Sequence, residues 1–134
     1  MKTAGVADTH VALWYVLRNP SLSKSAKAFI EDAANAGLSI AVSAISLAEI
    51  IYLTEKKRLP ESAYEDLMGV LKDSTRVLKE IHVGAGVVDK MRLISRDSVP
   101  DMPDRIIAAT GLFLGVPVIS RDGRIRASSV QTIW

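Results

Sequence analysis

Short runs of apolar residues alternate along the chain with stretches of helical periodicity, the signature of a parallel sheet with helices packed on it. Residues Thr3 to Asp8 read as a first strand and Thr9 to Leu17 as the helix that follows. Ser23 to Asn35 forms a second helix, stopped at Gly37, before the buried strand Leu38 to Val42. The next helix starts at Ser43 or Ser46 and runs to about Lys57, and Pro60 opens another that reaches Asp73. Arg76 to Ile81 is a third strand, Val83 to Ile94 a helix, Pro103 to Leu114 a helix, Val116 to Ser120 a fourth strand and Val130 to Trp134 a short fifth. No repeat, linker or low-complexity block interrupts this order, and a length of 134 residues fits one domain, 1–134.

Composition narrows the chemistry. Hydrophobic residues make up 49% of the chain but aromatics only 5%, so the interior is built from Ala, Val, Ile and Leu. Cysteine is absent, which removes disulfides, thiolate metal sites and cysteine nucleophiles and fits a reducing cytoplasm. The N-terminal apolar stretch is broken by Asp8 and His10 and no cleavage pattern follows, so no signal peptide is expected. The apolar runs fall well short of the ~20 residues of a membrane span. Net charge is +2, yet from Lys90 onward seven Lys and Arg face four acids, and six of those seven bases are Arg, a modest basic rim.

Ligands of open parallel sheets sit beyond the carboxyl ends of the strands, where three of the acids fall. Asp8 ends the first strand, Asp122 follows the fourth, and Asp104 starts the helix leading into the fourth. Each has a bland explanation. Asp122 suits a turn before Gly123, and Asp101 and Asp104 suit the N-cap and third position of a helix, where both favour the positive end of the dipole. Glu49 has no such explanation. It lies between Ile45 and Leu53 in a helix that is apolar nearly all round, and a carboxylate there is costly unless it is hydrogen-bonded, metal-bound or able to reach solvent.

Four carboxylates at one strand edge suit Mg²⁺ or Mn²⁺, which take hard oxygen ligands, keep waters and share phosphate oxygens. The two histidines, His10 and His82, are too far apart in sequence for a zinc spacing, and Gly84 and Gly86 do not form a phosphate-binding loop.

The segments ADTHVALWYVL, VSAISLAEI, DMPDRIIAAT and VISRDGRI resemble, in order, the four acidic motifs of PIN-domain nucleases. The likeness is greatest to the VapC-like toxins of toxin–antitoxin pairs. It implies a three-layer α/β/α fold with a central parallel sheet, a Mg²⁺- or Mn²⁺-dependent ribonuclease site, an RNA substrate, a small antitoxin partner and a homodimer. By the same resemblance Asp8, Glu49, Asp104 and Asp122 are the catalytic and metal-binding carboxylates, and Thr9, Ser43 and Ser120 support them. Asp101 is an additional acid or only a helix cap. Among the arginines, Arg92, Arg96, Arg121, Arg124 and Arg126 are candidates for RNA contact, while Arg105 either joins them or pairs with a carboxylate. Trp14, Tyr15 and Leu17 offer a partner surface.

Two other functions compete. An aspartate-based phosphatase normally carries a second Asp two residues after its nucleophile, where this chain has His10. A PIN-like module without turnover would act through partner binding alone, and the presence of all four acids argues against it.

Overall fold

The computed structural model describes residues 2–134. Five parallel strands, β1 (Thr3–Ala7), β2 (Ser39–Ser43), β3 (Leu78–Ile81), β4 (Val118–Ile119) and β5 (Thr132–Ile133), form one sheet in the order β3-β2-β1-β4-β5. The chain builds outward from β1 to β3 on one side, then returns to add β4 and β5 on the other. The order therefore reverses between β1 and β4, where parallel sheets open a crevice at their carboxyl edge.

Seven helices flank the sheet: α1 (Thr9–Val16), α2 (Lys24–Asn35), α3 (Ala44–Glu55), α4 (Ala63–Lys72), α5 (Ala85–Lys90), α6 (Met102–Leu114) and α7 (Gly123–Ala127). Strand alternation separates the apolar side chains into two cores. Ala7, Ile40, Val42 and Ile119 pack with Val11, Ile30, Ile50 and Leu67 on one face. Their strand neighbours Val6, Ala41 and Val118 pack with Val87, Ile107, Ala108 and Ile125 on the other. In the central strands β1, β2 and β4 successive residues are buried on both faces, and the three-layer α/β/α architecture follows, while the edge strand β3 keeps Glu80 exposed.

Several boundaries differ from the sequence reading for local reasons. β4 is shorter because the Val116 N–H bonds back to the Gly111 carbonyl at 3.1 Å, closing α6, and Pro117 has no N–H to give. Gly115 ends that helix at φ 68°, a conformation that costs glycine little. Pro60 belongs to a turn, its carbonyl accepting from Ala63, and α4 begins only there. The helix expected over Val83 to Ile94 divides into α5 and a 3₁₀ turn at Met91–Leu93. α7 was not expected at all: Asp122 and Gly123 suit a turn, and five residues are too few to show a helical period.

Candidate active site

All the acids but Glu49 reach the carboxyl edge through a junction between elements. Asp8 is the N-cap of α1 at the end of β1, and its Oδ1 accepts from Val11 N at 2.9 Å. The pairing of Val6 with Val118 and Ala7 with Ile119 sets Asp8 beside Ser120 across the reversal point. Ser120 is fully buried; its Oγ accepts from Asp122 N at 2.9 Å, and its hydroxyl also supports the Asp8 carboxylate. Asp122 in turn caps α7, its Oδ1 accepting from Arg124 N at 2.8 Å and Ile125 N at 3.1 Å.

Asp104 occupies the third position of α6, and its N–H donates to Oδ2 of the N-cap Asp101 at 3.2 Å. The capping geometry read from the sequence is therefore present, and both side chains also line the cleft. Glu49 comes from the middle of α3 and is half-buried. The helix is apolar nearly all round in sequence but not buried all round, for Ile51 and Tyr52 are 44% and 55% exposed. Glu49 is instead held by Thr9, whose Oγ1 lies 2.5 Å from Oε1 and 2.8 Å from Ser46 Oγ. A carboxylate can only accept, so the single Thr9 proton goes to Glu49 and Ser46 completes the chain. Thr9 and Ser46 are both buried.

The open cleft enclosed by these groups has a volume of about 520 Å³. Five acids (Asp8, Glu49, Asp101, Asp104, Asp122) line it with three arginines (Arg58, Arg121, Arg124). Among the described residues none of the five acids lies within ion-pair distance of a Lys, Arg or His; the ion pairs are His82–Glu80 and Arg92–Asp89. Two of the acids, Asp104 and Asp8, carry the mark of this crowding in their proton affinity. Burial, and then the fields of Asp101, Asp122, Glu49 and Asp8, push Asp104 up to about 7. Burial also raises Asp8, with Asp122 adding to the rise, against opposing hydrogen bonds from Ser120 and Val11 and the charge of His10.

Uncompensated carboxylate oxygens are the donor set of a hard divalent cation. Among the described residues no three His, Asp or Glu side chains come close enough together to hold a metal ion between them. Carboxylates spaced this way suit an ion that keeps waters or shares substrate oxygens, and do not suit a structural site.

The remaining expected residues divide. Ser43 is buried and caps α3, accepting from Ile45 N at 3.2 Å, so it braces the start of the Glu49 helix and does not line the cleft. Arg121 and Arg124 reach the rim; Arg92, Arg96 and Arg126 do not line it, and Arg92 faces Asp89 at 3.4 Å. Arg105 neither meets a carboxylate nor faces the cleft. Its Nε donates to Ile94 O and its Nη2 to Met91 O, both at 2.9 Å, tying α6 to the preceding 3₁₀ turn. Sequence reasoning missed Ser46 as a polar support, although it lies one helical turn before Glu49, and Arg58, which reaches the cleft just after α3.

A family model for the PIN domain matches residues 6–129. The chain belongs to the PIN-domain family. Along this PIN domain, Ribonuclease VapC22 of Mycobacterium tuberculosis (strain ATCC 25618 / H37Rv) is 26% identical over 135 residues, covering 98% of the chain and 99% of that protein. The fold recurs in the crystal structure of VapBC2 from Rickettsia felis bound to a DNA fragment from their promoter, with a TM-score of 0.71, 17% identity and 97% of each chain covered. It recurs also in a toxin–antitoxin complex from Klebsiella pneumoniae, at TM-score 0.62 and 18% identity over 98% of this chain and 97% of that one. FitAcB from Neisseria gonorrhoeae gives 0.57 and 22% over 95% and 94%. Asp8, Glu49, Asp104 and Asp122 all lie inside the matched span. No helix is long and apolar enough to cross a membrane among the described residues.

Proposed function

We propose that this PIN domain is a divalent-metal-dependent endoribonuclease and the toxin of a VapBC-type toxin–antitoxin pair. The observation that carries the reading is the convergence of Asp8, Glu49, Asp104 and Asp122, none of them ion-paired, on one cleft at the β1/β4 reversal. The cleft lining sets five acids against three arginines, and this excess of acid repels a phosphodiester unless cations enter with it. The four carboxylates would hold Mg²⁺ or Mn²⁺, which when bound polarises the phosphoryl group, lowers the pKa of water and neutralises the leaving oxygen.

The chain's own groups do the rest. Thr9 and Ser46 fix the Glu49 carboxylate, and Ser120 ties Asp8 to Asp122, so the oxygens are arranged before substrate arrives. Asp104, its carboxyl pushed up to about 7, can hold a proton near neutrality and would give it up as a ligand of the metal. Arg58, Arg121 and Arg124 on the rim are placed to bind phosphates flanking the scissile bond. The similarity to Ribonuclease VapC22 supports RNA as the substrate, and the likeness to toxin–antitoxin complexes supports a small antitoxin partner. A homodimer belongs to the same reading, as does a cytoplasmic location.

The test is incubation of the purified, partner-free protein with mixed cellular RNA in EDTA, Mg²⁺ or Mn²⁺, beside Asp8→Asn and Glu49→Gln. Cleavage is expected only with metal, and each substitution is expected to lower it by about a hundredfold or more. Full activity in EDTA, or an unaffected Asp8→Asn protein, would overturn the metallonuclease reading. The toxin assignment fails separately if the wild type, soluble and well expressed, leaves growth unchanged.

A further inference from the structure

Trp14 is a wall shared by two clefts. On one side it lines the acidic cleft, and on the other it bounds a groove of about 420 Å³ between the end of α1 and the start of α2. The charge reverses on crossing it. The second groove presents Arg18, Lys27 and Arg76 against one acid, Glu31. Its loop is held by its own hydrogen bonds: Asn19 N donates to Trp14 O at 2.8 Å, and Ser21 N to Asn19 Oδ1 at 2.8 Å. The wall is part of a packed cluster, with the Trp134 ring 6.0 Å from that of Trp14 on a tilt of 51°. The Arg121 guanidinium lies 4.6 Å from the Trp14 ring centre, and the His10 ring is 5.6 Å away on a tilt of 45°.

We propose that this groove is the second half of an RNA track, in which an unpaired base leaving the acidic cleft stacks at the Trp14–Arg121 pair and Arg18, Lys27 and Arg76 hold the phosphates that follow. The inference rests on the ribonuclease reading and extends it to a substrate class, single-stranded RNA several nucleotides longer than the scissile step. Every base has a π-face, so an aromatic wall beside fixed cations binds strands with little sequence preference. The alternation in sign fits a polyanion: its reacting phosphate enters the acidic cleft with metal, and the next phosphates need cations supplied by the protein. Half-buried Tyr15 also lines the groove. Burial, and then Glu31, raise the pKa of its phenol against the opposing charges of Arg76 and Arg18, so its hydroxyl remains a neutral donor.

The experiment uses the Asp8→Asn protein to prevent cleavage and 5′-labelled oligouridylates of about 12 and about 3 nucleotides, within and below the usual span of single-strand sites. Affinity is read by fluorescence anisotropy in Mg²⁺ across a salt series. The comparison adds Arg18→Asn, Lys27→Gln and Arg76→Gln together; Asn suits position 18, where φ is 53°. Loss of three phosphate contacts predicts that the salt slope of the long oligomer shrinks by about 2 and that the ratio of long to short affinity falls about tenfold or more. An unchanged ratio and slope, with wild-type cleavage intact, overturns the track and leaves the nuclease standing. So does an unchanged ratio when the triple variant instead loses its hold on the small protein encoded by the neighbouring gene, which makes the groove a protein-docking site. Failure of the wild type to cleave any RNA fails the underlying reading, a separate result.

Discussion

Asp104→Asn is the substitution that separates charge from capping. With its pKa raised from 3.8 to about 7, the ionised form of Asp104 is disfavoured in the fold by up to ~4 kcal/mol. The side chain is only half-buried, so water screens much of that, and roughly 1–2 kcal/mol is a fair expectation. The sign follows from proton uptake. Between the unfolded value near 3.8 and the folded value near 7 the native state binds more protons than the unfolded chain, so stability falls as pH rises through this window. Asparagine removes that loss. The amide gives up a favourable charge at the helix N-terminus, about 0.3–1 kcal/mol, so the net gain at pH 8 is ~1 kcal/mol. For a chain of this size that raises Tm by roughly 3–5 °C. Near pH 4, where Asp104 is protonated in the fold, the gain should vanish. The assay is thermal unfolding of both proteins at pH 4 and pH 8 in EDTA. A mutant less stable than wild type at pH 8, or a gain of equal size at both pH values, would refute the argument and leave Asp104 a structural acid.

Three further outcomes test the supports. Thr9→Val removes the hydrogen bond to Glu49 and leaves Ser46 without its partner, which should cost about 1–3 kcal/mol in urea unfolding and lower RNA cleavage about tenfold or more. Arg105→Met leaves the Ile94 carbonyl without its donor and the Met91 carbonyl with the Ile94 N–H alone; a loss of about 1–3 kcal/mol is expected, with faster amide exchange over residues 91–99 before any change elsewhere. Gly111→Ala sets a Cβ 2.7 Å from Val118 Cγ2 and 3.2 Å from the Val116 carbonyl, so α6 must shift from β4 at a cost of about 1–3 kcal/mol, read by the same denaturation.

The sequence made some features readable because a local cause acts alone there. Ile40 to Val42 is buried on both faces, and a continuous apolar run is all that a central parallel strand requires. The order of the four acids was likewise legible, since Asp8, Asp104 and Asp122 fall where a strand ends or a helix starts and Glu49 stands out in an apolar helix. Less visible were features that depend on distant partners. The fifth strand was expected over Val130 to Trp134, but its extent, Thr132–Ile133, is set by Gln131 O and Ile133 O accepting from Val118 and Ser120. Of the C-terminal arginines, Arg121 and Arg124 reach the cleft while Arg126, two residues on, does not, because the short α7 turns it away. Arg105 looked like a phosphate or carboxylate ligand, but its place on α6 brings it to backbone carbonyls. Charge composition cannot distinguish these fates, since all of them satisfy a guanidinium.

Capping and site building turn out to be one arrangement. Asp8, Asp101 and Asp122 each commit an oxygen to backbone N–H groups at a helix start, and each still lines the cleft. A cap fixes the carboxylate more firmly than a long flexible chain would, at the end of a dipole that favours its negative charge. The repulsion among the acids is thus partly offset by three helix N-termini, α1, α6 and α7, meeting at the same edge. Asp104 differs: its side chain has no hydrogen-bond donor among the described residues, while its own N–H serves Asp101. The acid with the least backbone support has its carboxyl pushed up to about 7, first by burial and then by the neighbouring carboxylates. Glu49, which comes from mid-helix and has no N-terminus to steady it, needs the Thr9–Ser46 pair in its place. An Asp→Asn change at the three caps should preserve the fold while removing the charge, whereas Ala should cost about 0.5–2 kcal/mol at each. The difference between the two series measures how far the same carboxylate serves both tasks.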